Sequence, residues 1–354
     1  MKQDPNPLYS GLSLEDFGWS EHFQAQLADN ETGALPVRVT KVHRTTLDVA
    51  GPSFEGRING LSRRERVEAA TTGDWVLIDE NHRVTRILER KTVFQRKSAG
   101  TAHNVQLMAA NVDTMFIVTS ANQEFNLARV ERYLSLSQDA GATPVVLITK
   151  ADLCPDMAPF RDPVSALLPD LAVMPINALS TDIVEQLSPW LTRGRTLALL
   201  GSSGVGKSTL INNLMQQNLQ ATQGSRAGGD KGRHTTSARS LHRLANGAWL
   251  MDTPGIRELQ LFDVAKGVDE LFEDLAELAT QCKFTNCTHS NEPACAVQNA
   301  FTTGAIDEER FMRYQKLANE ERYNSLSSGR QKLRQDEPAK WTRHSITQAL
   351  KQTD

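Results

Sequence analysis

Cysteine is scarce, four in 354 residues, and Cys154 stands by itself. The other three, Cys282, Cys287 and Cys295, crowd into one stretch, which in a cytosolic chain reads as metal ligation before disulfides. No run approaches the ~18 to 20 apolar residues of a membrane span, so no membrane partner is expected. Residues Met1 to Ser20 hold acids and prolines but nothing like the apolar core of a signal peptide. Export is therefore not expected, and the predicted location is the cytoplasm. There is no internal repeat, and no low-complexity tract beyond the polar SLSSGRQ stretch.

A strong net charge is also missing: the formal total is -3. That near-neutrality hides an asymmetry, because between Val37 and Ser98 thirteen basic residues face eight acidic ones. The tail from Arg310 onwards is basic again, while the middle is acidic. Two basic flanks around an acidic centre suggest contact with nucleic acid.

What is present is an ordinary globular composition, 39% hydrophobic and 23% charged, in a chain long enough for two or three domains. Residues 1–35 form a polar extension with only a weak helical pattern around Trp19 to Leu27. Residues 36–98 read as all-β, with PVRVTKVHRTTLDV, FEGRING, GDWVLID and HRVTRILER as short strands. Their spacing fits a small barrel such as an OB-fold. Over 104–263 apolar strands alternate with amphipathic helices, the pattern of a parallel sheet covered on both faces. Residues 266–325 turn helical around the cysteine cluster, and 326–354 form a basic tail. The predicted fold class is therefore multidomain: a β-barrel, a central α/β nucleotide-binding domain and a C-terminal α-helical metal-binding domain.

The strongest motif is Gly201-Ser202-Ser203-Gly204-Val205-Gly206-Lys207-Ser208, followed by Thr209. It is a complete GxxxxGK[ST] between the strand RTLALL and the helix STLINNLM. The glycines let backbone amides wrap phosphates, and the helix start favours negative charge. Lys207 is placed to reach the β- and γ-phosphates, and Ser208 to ligate Mg²⁺. Downstream, Asp252-Thr253-Pro254-Gly255 ends the strand AWLM. Asp252 there can hold Mg²⁺ through water, and the Gly255 amide can meet the γ-phosphate. The loop between them carries Gly232-Arg233-His234-Thr235-Thr236, where a switch segment would supply a threonine to the magnesium; Thr235 and Thr236 are both candidates.

Base identity is read from Thr149-Lys150-Ala151-Asp152 at the end of the strand TPVVLI. The Asp152 carboxylate can accept from the N1–H and 2-amino groups of guanine, and adenine lacks both. The Lys150 stem can cover the ring face. Asn177-Ala178 follows the next strand, where a backbone amide can contact O6. These elements precede the phosphate loop, the reverse of the ordinary GTPase order, so the domain is circularly permuted. The predicted activity is GTP hydrolysis to GDP and phosphate. Ile256 stands where many GTPases place a water-orienting glutamine, and His234 is the best candidate for that catalytic role.

Cys282-x4-Cys287-x-His289-x5-Cys295 offers three thiolates and an imidazole among turn-forming residues. That set suits one Zn²⁺ in a closed tetrahedral site, with a structural role.

Together, TKAD at 149–152, GSSGVGKST at 201–209, GRHTT at 232–236, DTPG at 252–255 and CX4CXHX5C at 282–295 resemble the ribosome small-subunit-dependent GTPase A family of circularly permuted GTPases. The resemblance runs from about residue 36 to about residue 325. It implies an OB-fold that grips 16S rRNA, and a zinc domain and tail that dock on the small (30S) ribosomal subunit near its decoding region. It further implies GTP hydrolysis stimulated by that subunit during late maturation, with His234 matching the family's proposed catalytic histidine. A monomer is expected. Thr149 stands where the family usually has asparagine, and Asn177 where it usually has serine, as in a divergent copy. A threonine cannot reproduce the asparagine amide, which implies reduced guanine affinity, while Asp152 is retained. The alternative reading, from another class, is a GTP-dependent RNA-binding module whose hydrolysis is incidental.

Overall fold

The computed structural model describes residues 9, 11–31, 33–59, 70–97, 105–223, 239–252, 265–285, 287–289 and 292–325. The chain divides into two compact units, Met1–Arg96 with Gln106–Leu259, and Lys97–Val105 with Gln260–Asp354.

In the first unit a one-turn helix, α1 (Glu21–Gln24), precedes five antiparallel strands. These are β1 (Leu35–Val42), β2 (Thr46–Ala50), β3 (Glu55–Asn59), β4 (Trp75–Ile78) and β5 (Val84–Ile87), in spatial order β3-β2-β1-β4-β5. Alternation along β1 and β2 turns Val37, Val39, Leu47 and Val49 inward, where they meet Ile58, Val76 and Ile78 in one apolar cluster. The register shifts between Val39 and Lys41, which bends β1. Strands β6 (Val93–Lys97) and β7 (Val105–Ala110) pair as a separate ribbon.

From β8 (Thr114–Ser120) onward strands and helices alternate: α2 (Leu127–Asp139), β9 (Thr143–Thr149), α3 (Ala158–Ser165), β10 (Ala172–Pro175), α4 (Ile183–Gln186), β11 (Thr196–Leu200), α5 (Lys207–Gln223), β12 (Ser240–Arg243) and β13 (Trp249–Asp252). Helix α2 starts where it does because the Asn126 side chain accepts the Arg129 amide at 3.0 Å. The order β10-β9-β8-β11-β13 is parallel throughout. All of β8 and β11 is buried, as a strand covered on both faces must be. Phe116, Val118, Leu147, Leu197, Leu199 and Leu250 share one core with Leu210 and Leu214 of α5. Each such side chain contributes about 1.5–3 kcal/mol by leaving water.

Strand β12 runs antiparallel to β13 and also meets β1, through the pairs Ser240↔Asp252 and Lys41↔Ser240. The five antiparallel strands and the parallel strands thus join in one eleven-stranded sheet.

The N-terminal extension acquires a structural role that its sequence did not reveal. Its helical pattern yields only α1, and its aromatic residues act as a strap. Phe17 packs on Trp249 with ring centroids 5.4 Å apart, and Trp19 meets Trp75 edge-on at 4.8 Å. The Trp249 indole donates to the Asp16 carbonyl at 2.7 Å, and Arg193 donates to the Asp16 carboxylate at 2.6 Å.

Beneath the strap lies Arg38, counted from sequence in the basic flank but in fact 1% exposed. It donates to the Phe17 carbonyl at 2.5 Å, the Asn111 carbonyl at 3.1 Å and the Thr196 hydroxyl at 2.7 Å. Burial pulls its guanidinium down to about 10, with Asp113 and Asp74 opposing. Asp74, fully buried, is paired with Arg90 at 2.7 Å. Part of the charge excess between Val37 and Ser98 is therefore internal wiring.

The second unit holds α6 (Ala265–Leu271), α7 (Glu273–Ala279), α8 (Ala296–Thr302) and α9 (Glu308–Ser325). Among the described residues, Val268, Leu271, Phe272, Leu275, Val297, Ala300, Ile306, Phe311, Tyr314 and Leu317 are buried apolar side chains.

Candidate functional site

The parallel strands deliver the predicted nucleotide-binding residues to one edge of the sheet, beyond the strands' carboxyl ends, where ligands bind in open α/β sheets. Strand β11 runs into Gly201 and α5 begins at Lys207, so the glycine-rich loop spans strand and helix as the sequence requires. Gly201 cannot carry a side chain: a Cβ there would lie 2.3 Å from the Val118 carbonyl oxygen. Gly206 has φ +95°, in the left-handed region that favours glycine. Lys207 is only 6% exposed, and its ammonium donates to the Gly201 carbonyl at 2.7 Å and to the Ser202 carbonyl. Val205 is buried, Ser202 and Thr209 half-buried, and Ser203, Gly204 and Ser208 exposed.

Asp252 ends β13, one residue past the pair Ala198↔Met251, and is thereby set beside the strand that leads into the glycine-rich loop. His234, Thr235, Thr236 and Gly255 lie outside the described residues.

The predicted base-reading residues follow β9 and β10. Lys150 takes a left-handed conformation, φ 60°, that turns the chain out of β9 and leaves Asp152 exposed. The Ala151 amide donates to the Ile176 carbonyl at 3.3 Å, joining this loop to the one bearing Asn177 and Ala178. The Asn177 side chain accepts the Leu179 amide at 2.9 Å and so shapes its own turn. Leu179 and Leu153 are 75% and 76% exposed beside the two loops.

Two residues tie these loops to the phosphate side. Thr149 is 1% exposed, and its hydroxyl bonds the Val205 carbonyl at 2.6 Å and the Thr119 carbonyl at 3.0 Å. Its side chain therefore faces the glycine-rich loop. Asn213, on α5, donates to the Ala178 carbonyl at 3.1 Å and the Ser180 carbonyl at 2.8 Å. Sequence reasoning passed over Asn213. Its only signal was an amide in the apolar stripe between Leu210 and Leu214.

In the second unit Cys282, Cys287, His289 and Cys295 bring their ligand atoms within 4.8 Å of one another. His289 Nδ1 lies 3.4 Å from Cys295 Sγ and 3.6 Å from Cys282 Sγ. All but Cys282 are buried. His289 has φ 56°, and its carbonyl accepts from Gln315 at 2.6 Å and Gln298 at 3.4 Å, which fixes the turn that aims the ring. Burial, with the neighbouring Cys287 and Cys282 thiols, pushes the Cys295 thiol up to about 12. Burial also raises Cys282, but the Val297 and Ala296 amides and the neighbouring thiols outweigh it and lower that group. Three thiols and an imidazole this close, with amides aimed at sulfur, can hold a metal ion.

A parallel sheet with a glycine-rich loop between β11 and α5, and with the loops after β9 and β10 earlier in the chain, defines the class, a circularly permuted P-loop GTPase fold. The comparisons agree. Residues 87–262 match the model of the RsgA GTPase family. The chain is 47% identical to the small ribosomal subunit biogenesis GTPase RsgA of Mesorhizobium japonicum, over 89% of this chain and 92% of that protein. It is 44% identical to the small ribosomal subunit biogenesis GTPase RsgA 2 of Vibrio vulnificus, over 96% and 98%. The crystal structure of YjeQ from Thermotoga maritima aligns with TM-score 0.57 and 25% identity, covering 80% of this chain and 97% of that one. YloQ, described as a circularly permuted GTPase, aligns with TM-score 0.57 and 21% identity, over 85% and 99%. This chain belongs to the RsgA GTPase family. No helix among the described residues is long and apolar enough to cross a membrane.

Proposed function

We propose that this chain hydrolyses GTP to GDP and phosphate in a cycle coupled to late maturation of the small ribosomal subunit, whose 16S rRNA it binds. The observation that carries the reading is the hydroxyl contact between Thr149 and Val205, which draws the base-reading and glycine-rich loops into one site. Its relatives, named for small-subunit biogenesis, supply the biological setting.

In this reading the amides of residues 201–209 and the Lys207 ammonium hold the phosphates. Asp152 reads guanine, Lys150 covers the ring, and the Ala178 amide meets O6. Ser208, Asp252 and one of Thr235 and Thr236 hold Mg²⁺, which would neutralise charge on the phosphates. His234 orients the attacking water. Cys282, Cys287, His289 and Cys295 hold Zn²⁺, the metal that best suits a closed Cys₃His set, and that ion stabilises the helical unit. The functional parts are an extension over 1–35, an RNA-gripping barrel over 36–98 and the GTPase domain over 104–263. A zinc domain over 266–325 and a basic tail over 326–354 complete a cytoplasmic monomer.

The test is GTP turnover by the zinc-loaded protein, alone and with isolated small subunits, with ATP and large subunits as controls. Stimulation by small subunits alone is expected. Turnover that small subunits leave unchanged would remove the ribosome from the reading and leave a bare GTPase. His234→Ala should block turnover and release from the subunit together. Release without turnover would favour the RNA-binding module whose hydrolysis is incidental.

A further inference from the structure

Asp252 ends a strand with unequal neighbours. On one side of β13 lies β11, buried along its whole length; on the other lies β12, only four residues long. Four residues is the short end of strand length, so what holds the ends of β12 decides where it lies. Its first residue, Ser240, is paired on both edges, with Asp252 on β13 and with Lys41 on β1. Directly opposed residues turn their side chains to the same face, so Ser240 stands beside the Asp252 side chain. The Ser240 hydroxyl is itself held by His242 Nε2 at 2.8 Å.

One residue earlier, Arg239 grips β7. Its guanidinium donates to the Leu107 carbonyl at 2.6 Å and to the Met108 sulfur at 3.0 Å. That anchor is rigid. Met108, Ala109 and Ala110 are fully buried, and the Ala110 amide donates to the Thr72 carbonyl at 3.0 Å. A Cβ on Gly73 would overlap the Ala110 carbonyl oxygen and come within 2.9 Å of Met251 Cε, so the end of β7 and β13 close on the same glycine. Charge pairing does not explain Arg239. Both of its partners are uncharged, and burial, then the neighbouring Arg96 guanidinium, pulls it below the ordinary arginine range. What it supplies is a planar fork of donors with fixed geometry.

We infer that Arg239 is a positioning residue for Asp252: it pins the start of β12 to β7, and Ser240 passes that position across the sheet to the carboxylate. The inference rests on the magnesium role proposed above for Asp252. The barrel takes part as well, because Lys41 of β1 closes the other edge of Ser240. Loosening the support behind a metal-binding group lowers metal affinity by roughly ten- to hundredfold while leaving the other ligand contacts in place. The expected signature is therefore a loss confined to magnesium.

The experiment is a magnesium titration of the affinity of the full chain for a fluorescent GDP analogue, with thermal midpoints as a fold control. Magnesium is first removed by dialysis rather than by a chelator, so that any metal at the cysteine cluster stays. Arg239→Met should raise the magnesium concentration at half effect by roughly tenfold and leave magnesium-free affinity unmoved. Arg239→Lys, which keeps a charged donor for the Leu107 carbonyl, should recover most of that loss. Should Arg239→Met fail to fold, Arg239→Gln keeps a polar side chain too short for the grip and gives the same reading. Equal weakening with and without magnesium, or an unmoved half-effect concentration, would overturn the inference. Asp252→Asn separates the two levels. If it shifts the magnesium dependence while the Arg239 variants do not, the magnesium role stands and the brace falls. If it shifts nothing, the magnesium assignment of Asp252 falls and this inference falls with it.

Discussion

The candidate nucleotide site and the candidate metal centre are built on opposite plans. The nucleotide site gathers residues from Thr149 to Asp252, each at the end of a strand or helix that the apolar core already holds in place. There the fold carries the site. The metal centre would draw all four ligands from the fourteen residues Cys282 to Cys295, which lie between α7 and α8. Its buried apolar residues are few beside those of the first unit. There the site carries the fold, because a closed metal site contributes about 10–16 kcal/mol of apparent binding energy, more than a small helical core supplies.

The sharpest way to break this contrast is to remove the metal. Chelation, or Cys282→Ser, should abolish the folding transition of the second unit, on the order of the 10 kcal/mol that such an ion contributes. Fluorescent GDP binding by the first unit should survive. Calorimetry with and without chelator, read beside a GDP titration, checks both halves at once.

A smaller effect is expected from the opposite side. Arg38→Met leaves Asp113 without its buried neighbour and strips a hydrogen bond from the Phe17 and Asn111 carbonyls. It should cost about 3 kcal/mol of stability in the first unit, because buried acceptors at Phe17, Asn111 and Thr196 lose their donor. The second unit's transition should not move. A denaturant series that resolves the two transitions would show whether the cost is confined in this way.

Lys207→Ala should cost about 2 kcal/mol in GTP affinity, roughly thirtyfold, the worth of one charge-assisted contact. Neither thermal transition should fall, since in the first unit the site is a passenger on the fold. A loss of stability as large as the loss of affinity would erase the distinction drawn here. The mildest change is Gln315→Leu, which removes the 2.6 Å bond to the His289 carbonyl. Metal retention against a competing chelator should fall about tenfold, as for other supporting contacts around metal ligands.

The same contrast explains what the sequence disclosed. The glycine-rich loop, the TKAD loop and the cysteine cluster are local signals, each complete within a few residues and each flanked by the periodicity that places it on a strand end or a turn. They were legible together with the strand and helix order. Arg38 was not, since nothing near it in the chain betrays partners at Phe17, Asn111 and Thr196. The aromatic strap from Phe17 to Phe23 was illegible for the same reason: Trp75 and Trp249 are far along the chain. The contact of the Thr149 hydroxyl with the Val205 carbonyl, 56 residues along the chain, had no signature in the sequence either. Contacts closed by tertiary packing leave no period in the sequence, and charge counts cannot separate a buried arginine from one that meets RNA.

Both plans meet in one measurement. The GTP hydrolysis rate should be followed for metal-loaded and metal-stripped protein, each with and without small ribosomal subunits. Stripping should leave basal turnover intact and remove the stimulation, because the nucleotide site stands on its own core while docking needs the metal-built unit. Loss of basal turnover on stripping, or stimulation that survives it, would contradict the account.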